Sequence, residues 1–152
     1  MTGRRDEPTA RRFARVRRDH ARETAEDYAE LVLDLAAAGR PVRPADLARG
    51  LGVSHVTVLR ALDRLIRDGI VDRDAEQGIV LSAAGRRMGQ AARARHALVV
   101  EFLARIGVPP EIAAVDAEGI EHHVSAVTIA RMEAFVARRA TATKKAPAAR
   151  RK

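Results

Sequence analysis

The sequence predicts a mainly α-helical protein that carries one small β-hairpin. Three observations predict it. Apolar residues recur at helical spacing along most of the chain, two short helical stretches meet at a glycine-containing turn within residues 43–69, and two β-branched runs follow directly. Those runs, Ile70-Val71 and Ile79-Val80-Leu81, flank a polar segment containing Gly78, the pattern of a hairpin with a longer loop.

The first helix is expected over about residues 20–38. Tyr28, Leu31, Val32 and Leu35 stand at i, i+3, i+4 and i+7, and Gly39 supplies a stop. Residues 1–19 are rich in arginine and poor in large apolar groups, which predicts a basic, disordered arm. Pro44 suits a first helical turn, Leu47 and Leu51 are apolar one turn apart, and Gly52 ends that helix before Ser54, a favourable N-cap. The helix that Ser54 opens is expected to bury Val56, Leu59, Leu62, Leu65 and Ile66 and to stop at Gly69. Two short helices around a glycine turn form a helix-turn-helix, and the hairpin after them makes it a winged helix.

Ser82 is placed to cap a long helix whose second half carries Leu98, Val99, Phe102, Leu103 and Ile106 on one stripe, with Gly107 as its stop. Pro109-Pro110-Glu111 restarts a helix expected to reach about Val124. Ser125 caps a last one bearing Val127, Ile129, Met132, Phe135 and Val136. The low-complexity tail beyond Arg139 is expected to be disordered. The resulting organisation is a basic arm (1–19), a winged helix-turn-helix DNA-binding domain with a small β-hairpin wing (20–90), an all-helical domain (91–140) and a basic disordered tail (141–152). The short C-terminal helices bury too little surface to stand alone, so homodimerisation through them is expected.

Composition bounds the chemistry. With no cysteine among 152 residues, disulfides, thiolate metal sites and cysteine nucleophiles are excluded. No apolar run approaches the roughly 20 residues of a membrane span, and the N-terminus shows no apolar core of a signal sequence, so a cytoplasmic protein is expected. The net charge of +8 is unevenly spread. Residues 40–95 hold eleven bases against six acids, whereas 23–39 hold five acids and no base, and 96–137 hold six acids against two bases. A basic middle suits a polyanion such as nucleic acid, and the acidic flanks could gather a cation.

Asp116 to Ser125, D-A-E-G-I-E-H-H-V-S, packs three acids and two histidines into eight residues. On a helix Glu118, Glu121 and His122 share one face, while His123 is rotated about 100° from His122. Like charges at i, i+3 repel, and a bound cation would relieve them. Spacing alone leaves a metal half-site and a solvated helix face as alternatives. Asp27 and Glu30, another i, i+3 pair, and His96 on the long helix would complete a larger set if the helices pack together. On the nucleic-acid side, Ser54, His55, Thr57 and Arg60 are the outward candidates at the start of the second helix, with Val56 and Leu59 holding that helix down. Arg60 is best suited to guanine O6 and N7, and Arg64, Arg73 and Arg43 to phosphates.

The segments E-D-Y-A-E, D-L-A-R-G-L-G-V-S-H-V-T-V, R-H-A-L-V-V-E-F-L and D-A-E-G-I-E-H-H-V-S resemble, in that order, the manganese-responsive members of the diphtheria toxin repressor family over about residues 24–136. The resemblance implies a dimer whose winged helices bind DNA when metal is bound, and a second domain for dimerisation and metal binding. It places the metal ligands on Asp27, Glu30, His96, Glu118, Glu121 and His122, and implies two Mn(II) ions per subunit with bridging carboxylates. His123 matches a neighbouring histidine outside the principal ligands. Iron-responsive relatives place a methionine where Asp27 stands and a cysteine where Glu118 stands. Carboxylates with imidazole suit Mn²⁺, whereas soft sulfur favours metals further along the Irving–Williams order.

The expected function is therefore a manganese-responsive repressor of manganese transport genes, a homodimer acting on double-stranded DNA at a palindromic operator, with no catalytic residues, no membrane and no organic cofactor. Metal held by Asp27 and Glu30 together with Glu118, Glu121 and His122 would favour the DNA-binding conformation. The rivals are an iron-responsive repressor, a sensor of a small organic molecule, for which four aromatic residues offer a thin pocket, and a di-metal carboxylate enzyme, which would need E-x-x-H motifs on two helices.

Overall fold

The computed structural model describes residues 6–144, which form two compact units that divide after Ala91. The first contains α1 (Asp6–Ala37), α2 (Pro44–Leu51), α3 (His55–Arg67), β1 (Val71–Asp74), β2 (Gly78–Leu81) and the start of α4 (Ala83–Arg105). The second holds the rest of α4, α5 (Pro110–Glu121) and α6 (Ala126–Lys144). The mainly helical winged fold expected from periodicity is what the chain adopts. No helix among the described residues is long and apolar enough to cross a membrane.

α1 is far longer than the expected 20–38. It begins at Asp6, so the described part of the basic segment is helical where a disordered arm was expected. No glycine or proline interrupts the chain from Thr9 to Ala38, Ala and Arg are good helix formers, and side chains one turn apart pair, as in Arg22 Nε to Glu26 at 2.9 Å. The other tail differs likewise: α6 runs to Lys144, beyond the expected limit at 140, while residues 145–152 lie outside the described part.

Local chemistry explains the helix-turn-helix. Asp46 accepts the Arg43 backbone N–H at 3.1 Å, and Pro44 occupies the first turn of α2, where its missing N–H costs nothing. Gly52 adopts φ +66°, the left-handed conformation glycine tolerates best, and donates its N–H to the Ala48 carbonyl. Ser54 Oγ then accepts the Thr57 N–H at 3.1 Å, capping α3.

The buried face of α3 is Val58, Leu62 and Leu65: the expected Leu62 and Leu65 are enclosed, but Val58 stands in place of Val56. Val56 is 57% exposed, and Leu59 and Ile66 are only partly covered. Val58, Leu62 and Leu65 fall at i, i+4 and i+7, and Val56 sits about 200° round the helix from Val58. Tyr28, Val32, Leu47, Val71, Ile79 and Leu81 complete this core.

The wing pairs Val71 with Leu81 and Asp74 with Gly78 in antiparallel register. Asp74 Oδ1 accepts the backbone N–H groups of Glu76 and Gln77 at 2.8 and 2.7 Å, closing the loop and holding its carboxyl below the usual range. Ser82 Oγ donates to the Gly69 carbonyl at 2.7 Å and accepts the Gly85 N–H at 3.0 Å, which ties α4 to the end of α3.

In the second unit Val99 and Leu103 of α4 pack on Ala113 and Ala117 of α5, flanked by Phe102, Ile120, Ile129 and Met132. Phe102 and Phe135 meet edge to face with centroids 5.3 Å apart. α5 ends at Glu121, three residues before the expected stop, because Ser125 turns the chain into α6 and accepts the Thr128 N–H at 3.2 Å. Ile106, Ile112, Val115 and Val127 of this unit are exposed, Val115 and Val127 by 71% and 70%.

Candidate metal centre

Helical spacing puts Glu118 and Glu121 on one face of α5, and His122 keeps that phase because its φ of −74° and ψ of −20° are still helical. α4 supplies His96 opposite them. His96 Nδ1 lies 3.6 Å from Glu118 Oε1 and 3.7 Å from Glu121 Oε1, and His122 Nε2 lies 3.6 Å from that same Glu121 oxygen. One ligand atom each from His96, Glu118 and Glu121 falls within 4.8 Å of the other two.

These separations exceed hydrogen-bond lengths. They match neighbouring ligands around a common divalent ion, whose donors at roughly 2.0–2.6 Å from the ion sit roughly 3–4 Å from one another. Burial grades the group. Glu118 is 70% exposed, the His122 ring is nearly covered, and Glu121 is 1% exposed. A fully buried carboxylate is costly as an ion unless cations surround it. An oxygen and nitrogen donor set without sulfur therefore fits a divalent cation of manganese type.

One further residue belongs to this picture. Arg95 Nε lies 3.8 Å from Glu121 Oε2, a neighbour that the sequence reading did not single out, although it precedes His96 directly in R-A-R-H. In the first unit Glu26 is the other buried acid among the described residues, and Arg22, one turn away, pairs with it. Asp27 and Glu30 occupy α1 one turn apart and are partly buried. His123 is exposed.

The residues expected at DNA divide by what they already do. His55 and Arg60 are exposed on the first two turns of α3. Ser54 and Thr57 are exposed too, but their hydroxyls lie 2.8 Å apart within the N-cap. Arg64 is partly buried close enough to Tyr28 to act on its phenol electrostatically. Burial pushes the Tyr28 hydroxyl above its usual pKa, Arg64 partly offsets this, and the hydroxyl has no hydrogen-bond partner among the described residues. Arg73 reaches from the wing to Asp63 of α3 at 3.7 Å, with both side chains largely exposed. A separate hollow of about 390 Å³ lies in the first unit between Val32, Leu33, Ile79, Arg40 and Arg86.

Comparison with known proteins bears on both units. Residues 20–79 match the iron dependent repressor N-terminal DNA binding domain, and residues 82–148 match the iron dependent repressor metal binding and dimerisation domain. The chain is 43% identical over 123 residues to the transcriptional regulator MntR of Escherichia coli O6:H1, covering 81% of this chain and 79% of that one. It is 42% identical over 129 residues to the MntR of Salmonella typhimurium, covering 85% and 82%. Among solved structures, a manganese-dependent transcriptional repressor in complex with manganese superposes with a TM-score of 0.64 at 30% identity. That match covers 74% of this chain but 52% of the solved one, so the chain spans about half the length of that structure.

Proposed function

The chain belongs to the iron-dependent repressor (diphtheria toxin repressor) family of metal-dependent transcriptional regulators, and on that premise we propose that it is a manganese-responsive regulator. The observation that carries the reading is the convergence of His96, Glu118 and Glu121 without a sulfur donor. His96, Glu118, Glu121 and His122 are proposed to hold the metal, with Asp27 and Glu30 joining them on the strength of the sequence motif. Bound Mn(II) would supply divalent charge that neutralises clustered carboxylates, and two ions per subunit are proposed. The chain's own residues do the rest. Glu121 and Glu118 repel each other until neutralised, and a conformation that brings the full ligand set together is favoured by metal in proportion to its better fit there.

The target is double-stranded DNA at a palindromic operator, matched by a homodimer. Support for the dimer comes from Ile106, Ile112, Val115 and Val127, apolar side chains left exposed in the second unit. Support for DNA comes from the exposed start of α3, where Arg60 and His55 are proposed to meet base edges and Arg73 and Arg43 phosphates. The protein is proposed to act in the cytoplasm, as a regulator rather than an enzyme. An iron-responsive reading is disfavoured by Glu118, which stands where iron-responsive relatives carry cysteine.

The test is operator binding by fluorescence anisotropy with Mn²⁺, Fe²⁺, Zn²⁺ or chelator. Tight binding with Mn²⁺ and its loss in chelator are expected. Equal affinity in both conditions overturns the reading.

A further inference from the structure

The two oxygens of Glu121 face different nitrogen groups. Oε1 is turned to the imidazoles of His96 and His122, at 3.7 and 3.6 Å, and Oε2 to the guanidinium of Arg95 at 3.8 Å. The Arg95 side chain is 16% exposed, so its charge acts through a poorly screening medium. Unlike an imidazole, a guanidinium cannot shed its proton to make room for a second cation.

We propose that Arg95 is a built-in competitor of the metal, setting the concentration at which the site fills. This rests on the reading that His96, Glu118 and Glu121 hold a divalent cation. In the metal-free protein, Arg95 offsets the charge of the buried Glu121 carboxylate. When a divalent ion is bound at Oε1, the same guanidinium opposes it as a like charge only a carboxylate's width away. Both effects lower affinity. Orientation works the other way only if Arg95 fixes the carboxylate through a directed hydrogen bond, and 3.8 Å is too long for one. Arg95 is thus a tuning residue, not a ligand.

The test is calorimetric titration of Mn²⁺ into the full-length protein and its R95Q, R95K and E121Q variants at one pH and ionic strength. R95Q should bind Mn²⁺ about ten-fold more tightly, toward the lower end of the roughly 5–150-fold range of coupling between two binding events. Its metal-free form should melt below wild type and gain more on adding Mn²⁺. R95K, which keeps the charge, should bind close to wild type, a result that still decides the matter if R95Q does not fold. Equal or weaker Mn²⁺ binding by R95Q, or a rise in R95K as large as that expected for R95Q, overturns the competitor role. Undiminished binding by E121Q overturns the metal site itself, which separates the two failures.

Discussion

Nδ1 of His96 on α4 lies 3.7 Å from Oε1 of Glu121 at the end of α5, although 24 residues separate them, and Glu121 is the largest fully enclosed polar side chain among the described residues. A carboxylate in that position has one chemically economical use, to meet a cation. In the proposed metal site the imidazole would supply the second donor.

Glu121→Gln should abolish metal-dependent operator binding. A ligand lost outright should cost more than the roughly 10–100-fold typical of outer-shell partners. The metal-free variant should melt below wild type, because the substitution removes the carboxylate that faces the largely buried Arg95 guanidinium. Anisotropy with and without Mn²⁺, beside thermal melts in chelator, reads both effects.

Val58→Ala and Val56→Ala should separate packing from recognition. Val58 is enclosed among Leu62 and Leu65, and its truncation should cost about 2 kcal/mol of unfolding free energy. Val56 is exposed, and its truncation should stay within about 0.5 kcal/mol. Urea denaturation measures both, and equal losses would place the buried face of α3 wrongly.

Tyr28→Phe should leave stability unchanged or raise it at neutral pH, since it removes a buried hydroxyl that has no hydrogen-bond partner among the described residues. The folded-state pKa is raised above the ordinary 10.0, so the unfolded chain gives up its proton first. Wild-type stability is therefore full below pH 10 and falls as pH rises above it, whereas Tyr28→Phe lacks that loss. Denaturation curves at neutral pH and above pH 10 should show the variant's advantage widening.

Arg60→Ala and Arg73→Ala should differ in kind. Arg60 lies exposed on α3, and its loss should cost about 1–3 kcal/mol on the operator and relax base preference at one position. Arg73 already pairs with Asp63, so its loss should weaken binding evenly across sequences and reduce the salt slope. Titrations against operator and scrambled duplex at several salt concentrations distinguish them.

The local features were legible because they depend on neighbours along the chain. Gly52, Ser54, Ser82 and Ser125 announce where helices stop and start, since a left-handed turn or an N-cap needs only the next few residues. The β-branched runs around Gly78 likewise announce the wing. Periodicity also placed Glu118, Glu121 and His122 on one face. It placed Leu62 and Leu65 inside but misjudged the start of α3, because Val56, Leu59, Leu62, Leu65 and Ile66 form an equally plausible apolar stripe, and only the packing of α2 and the wing against α3 selects Val58 instead. It misjudged the start of α1 because a run of arginines reads as disorder, whereas an uninterrupted stretch of good helix formers with charge pairs one turn apart propagates a helix.

By itself, then, the sequence determined the order of elements, the family and the donor types that suit manganese. Tertiary structure decided which of those donors meet. Burial of Glu121, the approach of His96 from another helix and the guanidinium of Arg95 behind the carboxylate all arise from α4 packing against α5. Such packing is an interaction between segments distant in sequence, to which a helical period, blind beyond a few turns, is insensitive.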